Sequence, residues 1–175
     1  LSPDQLVGAL ATAMGSMAEV GTSFAGKTAL ITGAGAGSIG FEVARALLLG
    51  GARVLVTTSR PERKRWEQYA KLYREWAGKD AQLTVLPWNG ASLRDVNRLV
   101  AGLLDAGQLG GGRPDFVLPF AAIPEKGRDI SGIDAHSEVA HRTMLTNVVR
   151  LLGAIKTRVE AEAMDDGRST LVVLP

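Results

Sequence analysis

The run Thr32-Gly33-Ala34-Gly35-Ala36-Gly37-Ser38-Ile39-Gly40 directly follows the apolar residues Ala29-Leu30-Ile31 and opens a stretch of helical periodicity. A chain that turns from strand to helix in so few residues needs backbone conformations and close approaches that a Cβ obstructs, and glycine removes the obstruction. Gly35, Gly37 and Gly40 fit the GxGxxG spacing, in the strand-turn-helix setting that gives this motif its meaning. A helix start also offers unsatisfied N–H groups and the positive end of a dipole to an anion. The backbone of Gly33, Gly35, Gly37, Ser38, Ile39 and Gly40 is therefore the candidate seat of a diphosphate. No Gly-Lys-Ser/Thr closes the loop, so the lysine and metal-binding hydroxyl that serve nucleoside triphosphate hydrolysis are missing.

The remainder alternates short apolar runs with longer helical ones. The patterning predicts strands at Lys27 to Thr32, Arg53 to Thr58, Gln82 to Leu86, Phe116 to Pro119 and Thr170 to Leu174. It predicts helices at Ile39 to Leu49, Pro61 to Ala77, Ser92 to Asp105 and His136 to about Ala163. Nearly continuous apolar strands such as Val54-Leu55-Val56 suit a parallel sheet covered on both faces. The expected fold is a doubly wound, Rossmann-like α/β sheet with the chain stopping after its fifth strand. With 175 residues, 46% of them hydrophobic, there is material for one substantial core and too little for two ordinary domains. Ser2-Pro3-Asp4-Gln5 carries the signals of a helix start, so residues 1–23 read as an amino-terminal helix and linker and residues 24–175 as the sheet unit. A start at Leu1 and a stop at Pro175 inside an apolar run suggest a segment of something longer.

Charge and composition narrow the function by exclusion. Twenty Lys plus Arg against 18 Asp plus Glu leave a formal charge of +2, which calls for neither nucleic acid nor membrane as a partner. The longest apolar stretch near the amino end, Val7 to Ala18, has 12 residues, too short for a membrane span and without the basic flank of a secretory signal. The chain reads as soluble. The absence of cysteine removes disulfides, thiol nucleophiles and thiolate metal sites, and is compatible with a reducing cytoplasm. Between Arg60 and Asp80 stand seven basic and four acidic residues with Trp66, Tyr69, Tyr73 and Trp76 at helical spacing. This is expected to be a solvated helix whose aromatic stripe covers the sheet.

The end of the second strand bears on which dinucleotide the turn would take. An Asp or Glu there accepts hydrogen bonds from ribose hydroxyls, but this chain has Thr57-Thr58-Ser59-Arg60. A carboxylate repels a 2′-phosphate, whereas Ser59 can donate a hydrogen bond and Arg60 a charge-assisted one. The pattern favours NADP(H).

Several segments together resemble a known family. Thr32-Gly33 with Gly37 and Gly40 is similar to the TGxxxGxG turn of short-chain dehydrogenases/reductases, with one extra residue before the last glycine. Ile31 to Gly40, Val56 to Arg60, Pro119 to Glu125 and Ala140 to Asn147 resemble the β-ketoacyl reductase domain of the fungal and mycobacterial kind of type I fatty acid synthase, over residues 24–175. The resemblance implies NADPH as cofactor and reduction of 3-oxoacyl chains carried on the pantetheine arm of an acyl carrier protein. It also implies other synthase domains as partners, a homo-oligomer of six subunits and a cytoplasmic location. It puts Asn89 beside the adenine, and the backbone of Ala121 and Ala122 beside the adenosine or the nicotinamide ribose, where Phe120-Ala121-Ala122-Ile123 replaces the usual Asn-Asn-Ala-Gly. Asn147 matches the helical asparagine of the Asn-Ser-Tyr-Lys tetrad, which in the family holds a water near the catalytic lysine. The other three tetrad members have no match, since Tyr69 and Tyr73 are followed four residues later by Tyr73 and Ala77. In the family they come after the fifth strand, so the segment alone is expected not to catalyse.

Two other readings compete with this one. A structural module that keeps the scaffold while another chain does the chemistry would also lack Tyr-x-x-x-Lys. A methyltransferase using S-adenosylmethionine would share a glycine turn after strand one, but Ser59-Arg60 is a poor receptor for its ribose hydroxyls. His136 and His141 are five residues apart without a third metal-ligand type at suitable spacing, so no metal site is expected. Glu125, Lys126, Arg128 and Asp129 read as a solvated edge.

Overall fold

The structure is a computed structural model and describes residues 23–105, 112–124, 127, 129–161 and 167–174. The expected helix at the amino end, and Glu125, Lys126 and Arg128, lie outside the described residues. Five parallel strands form one sheet: β1 (Thr28–Thr32), β2 (Arg53–Thr58), β3 (Gln82–Pro87), β4 (Phe116–Pro119) and β5 (Leu171–Val172), in the order β3-β2-β1-β4-β5. The chain winds outward from β1 to β3, then returns to the other side of β1. Connections leaving β1 and β4 therefore diverge, which opens a crevice at the carboxyl ends of the strands.

Alternation along the strands builds two cores. Ala29, Ile31, Val54 and Val56 point to one face, where α1 (Ile39–Leu49) and α2 (Arg63–Trp76) bring Ala44, Leu47, Leu48, Tyr69 and Leu72. Leu30, Leu55 and Val117 point to the other, against Val96, Leu99, Val100, Leu103 and Leu104 of α3 (Leu93–Leu104) and Leu151, Ile155 and Val159 of α5 (Asn147–Ala161). Period-two strands carrying apolar side chains on both faces give this sandwich, and the doubly wound expectation is met. Among the described residues no helix is long and apolar enough to cross a membrane.

Three element expectations need correction. The charged helix begins at Arg63 because Glu62 holds an extended conformation after Pro61. Its aromatic stripe covers the sheet only in part: Tyr69 is buried, while Trp66, Tyr73 and Trp76 stay 37 to 40% exposed. The edge strand β3 presents a narrow, half-buried surface, leaving an open groove beside Trp66 and Tyr73, and Trp76 instead stacks under Arg45 at 4.6 Å. The long helix is interrupted. α4 (Ala135–His141) passes through a π-helical turn, Arg142–Thr146, before α5, and the Asn147 N–H donates to the Arg142 carbonyl five residues back. The last strand pairs only over Leu171–Val172, at the sheet edge.

Candidate functional site

A crevice of about 410 Å³ lies at the carboxyl ends of β1, β2 and β4. Gly33, Gly35, Ser59, Arg60, Asn89, Ala121 and Ala122 line it together, although they come from four separate loops. Gly37, Ser38, Ile39, Gly40 and Asn147 are outside its lining.

The glycines divide into two kinds. Gly33 has φ +74°, and a Cβ there would sit 2.5 Å from the backbone of Phe120 and Ala121. The turn after β1 thus runs against the loop after β4, and the Ala121 N–H donates to Thr32 Oγ1 at 3.1 Å. A Cβ on Gly40 would lie 2.9 Å from the Gly33 carbonyl oxygen, so this glycine lets α1 pack on the turn. Gly37, at φ +81°, faces open space. Ser38 caps α1: its hydroxyl accepts from the Phe41 N–H at 3.2 Å and donates to the Gly33 carbonyl at 2.9 Å. That bond serves one of the helix's orphan donors and leaves the rest of its first turn for an anion. The Ile39 side chain is 75% exposed, so any role it has at the turn is carried by its backbone.

The second side of the crevice is cationic. Thr58 Oγ1 bonds both the N–H and the carbonyl of Arg60 at 3.2 Å, fixing the backbone where Ser59 and Arg60 emerge. Arg65, on the first turn of α2, also lines the crevice, and its Nη1 would meet a Cβ on Gly35 at 3.3 Å. Its Nη1 donates to the neutral Gln68 side chain at 3.2 Å. No carboxylate among the described residues lines this space, and both of its charged lining residues, Arg60 and Arg65, are basic. Beneath them the Tyr69 hydroxyl donates to the Ala34 carbonyl at 2.8 Å. Burial pushes its pKa up, against the pull of nearby Arg65, so it holds this bond as a neutral phenol.

The third side joins the loop after β3 to the interrupted helix. Asn89 folds into a local turn: its N–H donates to Asp95 at 3.0 Å and its Oδ1 accepts from Ala91 at 3.0 Å. Asn147 is 1% exposed; its Nδ2 donates to the Gly90 carbonyl at 2.7 Å and its Oδ1 accepts from Arg150 at 3.1 Å. Both ends of the amide are thereby engaged within the chain. Trp88, Gly90 and Thr143 meet at the floor, where a Cβ on Gly90 would come within 2.9 Å of Thr143 Cγ2. Trp88 Nε1 and Thr143 Oγ1 are buried without a hydrogen-bond partner. Buried polar atoms in native folds are seldom left unsatisfied, and two beside one crevice fit a polar ligand there. His136 and His141 both lie exposed on α4, away from this lining.

Sequence reasoning missed Arg65, Trp88, Gly90 and Thr143. For Arg65 a signal existed: Arg63, Lys64 and Arg65 crowd the first turn of α2 with no acid among them, although a helix start disfavours cations. Trp88 and Thr143 had none, since tryptophan and threonine are unremarked in a core.

Residues 27–111 match the KR domain family. The fatty acid synthase subunit alpha of Penicillium patulum is 50% identical over 160 residues, covering 91% of this chain and 9% of that protein. The subunit of the same name from Schizosaccharomyces pombe is 46% identical over 170 residues, covering 97% and 9%. Over residues 27–111 the chain is similar to the KR domain family. The matched residues include the glycine turn, and the similarity to fatty acid synthase subunits extends over most of the chain. The chain spans about 9% of the length of these curated relatives. Among solved structures, the Pseudomonas aeruginosa RhlG/NADP active-site complex superimposes with a TM-score of 0.66 at 21% identity, covering 87% of this chain and 55% of that one. A short-chain dehydrogenase from Sphingobium yanoikuyae in complex with NADPH gives 0.61 at 18%, covering 79% and 50%. At such identities these structures show that the chain shares their fold.

Proposed function

We propose that this KR domain segment forms the NADPH-binding part of a 3-oxoacyl-[acyl-carrier-protein] reductase within a fatty acid synthase. One observation carries the reading: a crevice at the sheet's switch point is bounded by a glycine turn, by Ser59 and Arg60, and by no carboxylate among the described residues. The open first turn of α1 suits the diphosphate, and Ser59 with Arg60 suits a 2′-phosphate. Asn89, Ala121 and Ala122 border the adenosine and ribose, and the orphan Trp88 and Thr143 groups suit polar atoms of the same ligand. NADPH, when bound, supplies the hydride for the C3 ketone of the acyl chain. The protein's part here is to bind, orient and exclude water. Asn147 keeps α5 tied to the Gly90 loop, a positioning role beside its family place in the tetrad.

The 175 residues contain no Tyr-x-x-x-Lys pair, so this reading assigns proton donation to groups outside them. The acyl carrier protein, neighbouring synthase domains and a homo-oligomeric assembly are the partners that go with it, supported by the likeness to fatty acid synthase subunits. Calorimetric titration with NADPH and NADH is the test. NADPH binds more tightly than NADH, and R60A removes about 1.5 to 3 kcal/mol from NADPH binding alone. Failure to bind either dinucleotide would favour a structural module instead. Turnover of an acetoacetyl thioester by these residues alone would show the proton donor to be misassigned.

A further inference from the structure

We propose that Arg65 is the second arm of a two-arginine clamp on the 2′-phosphate, sharing with Arg60 the choice of the phosphorylated dinucleotide; this rests on the dinucleotide reading above. The crevice wall orders the candidate anion sites. The helix start at Gly37 to Gly40 takes the diphosphate, and the ribose hydroxyls of the adenosine half belong at the end of β2. Gly35 lines the same crevice as Ser59 and Arg60, and the Arg65 guanidinium lies against it, 3.3 Å from where a Cβ would stand. A phosphate ester on the ribose therefore falls in the crevice that Ser59, Arg60 and Arg65 line together.

Charge and local structure support the same assignment. Arg65 bonds a neutral amide, Gln68, so its charge is not cancelled and its other N–H donors remain for an oxyanion. The first turn of α2 holds three basic residues and no acid, an arrangement that opposes the helix dipole. A bound dianion would turn that repulsion into attraction, because the dipole and the guanidinium then act on it together. Glycine at position 35 leaves room for the guanidinium, since a Cβ would stand 3.3 Å from Nη1 and push the arm aside.

The experiment compares wild type, R65A, R65K, R65Q and R60A in the full chain, titrated with NADPH and NADH by calorimetry, with circular dichroism melts to verify folding. R65A weakens NADPH binding by about tenfold to a hundredfold and leaves NADH within about twofold. R65K restores part of the loss, because it keeps the charge without the planar fork. R65Q, which keeps the stem and an amide, reproduces the selective loss should R65A fold poorly. Equal losses for NADPH and NADH would overturn the inference, by placing Arg65 on the shared diphosphate. Unchanged NADPH binding in folded R65A, beside a selective loss in R60A, would also overturn it and leave the dinucleotide reading intact. A wild type that binds neither would sink that reading first and the clamp with it.

Discussion

At the residue scale, the glycines of the turn differ in what they do for the fold although they look alike in sequence. Gly33 combines a positive φ with a backbone neighbour 2.5 Å from where its Cβ would stand, whereas Gly37 has a positive φ and open space. Gly33→Ala therefore forces Phe120 and Ala121 away from β1 and costs about 2 to 4 kcal/mol, while Gly37→Ala costs only the left-handed strain of about 1 to 2 kcal/mol. Urea denaturation of the two variants measures the difference, and equal losses would refute the close approach. Spacing located all these glycines but did not separate them, because the contact that distinguishes Gly33 comes from Phe120 and Ala121, far along the chain. Arg60 was legible from the lack of an acid after β2. Arg65 was only hinted at by the unopposed basic start of α2, since its place in the crevice depends on α2 packing over Gly35.

At the element scale, strands and most helices follow from apolar pattern and capping. Ser38 and Ser92 cap α1 and α3 as side-chain acceptors, in line with the helix starts read from the sequence. The π-helical turn at Arg142–Thr146 was invisible, because its residues carry ordinary helical periodicity and the i to i−5 bond depends on a tertiary attachment. That attachment is Asn147, whose amide reaches the Gly90 carbonyl. Asn147→Ala leaves this carbonyl buried and unbonded, and destabilises the fold by about 1 to 3 kcal/mol. Asn147→Asp is worse, because a carboxylate would face a carbonyl. Chemical denaturation of both variants tests this order, and a wild-type midpoint for Asn147→Ala would show that the bond contributes nothing.

At the scale of the whole molecule, the two ends of the sheet do different work. The carboxyl end carries a crevice whose charged lining residues are basic, and the opposite end is pinned. There the Asp115 carboxylate accepts from the Thr28 N–H at 2.9 Å and from Lys27 at 3.0 Å, with Arg168 at 3.7 Å. Burial pushes its pKa up, but the Thr28 and Lys27 hydrogen bonds and the charges of Lys27 and Arg168 outweigh it and hold the group below its ordinary 3.8. A carboxylate with a depressed folded-state pKa stabilises the fold above its unfolded value, and the benefit disappears as pH falls through the folded value. Denaturation midpoints measured between pH 2 and 7 are therefore expected to fall steeply below about pH 4 in the wild type. Asp115→Asn lowers stability at neutral pH by about 1 to 2 kcal/mol, discounting the half-exposed lysine and arginine, and flattens that acid limb. An unchanged limb would remove Asp115 as its source. The sequence alone determined the winding of the sheet, the position of the glycine turn and the cation at the end of β2, because periodicity, glycine spacing and residue chemistry act over a few neighbouring residues. Only the tertiary structure decided that Arg65 faces Gly35, that Trp88 and Thr143 close the crevice floor with unsatisfied polar atoms, and that Asn147 serves Gly90. Each of those depends on which side chains meet once distant segments pack, and local energetics does not encode that distance.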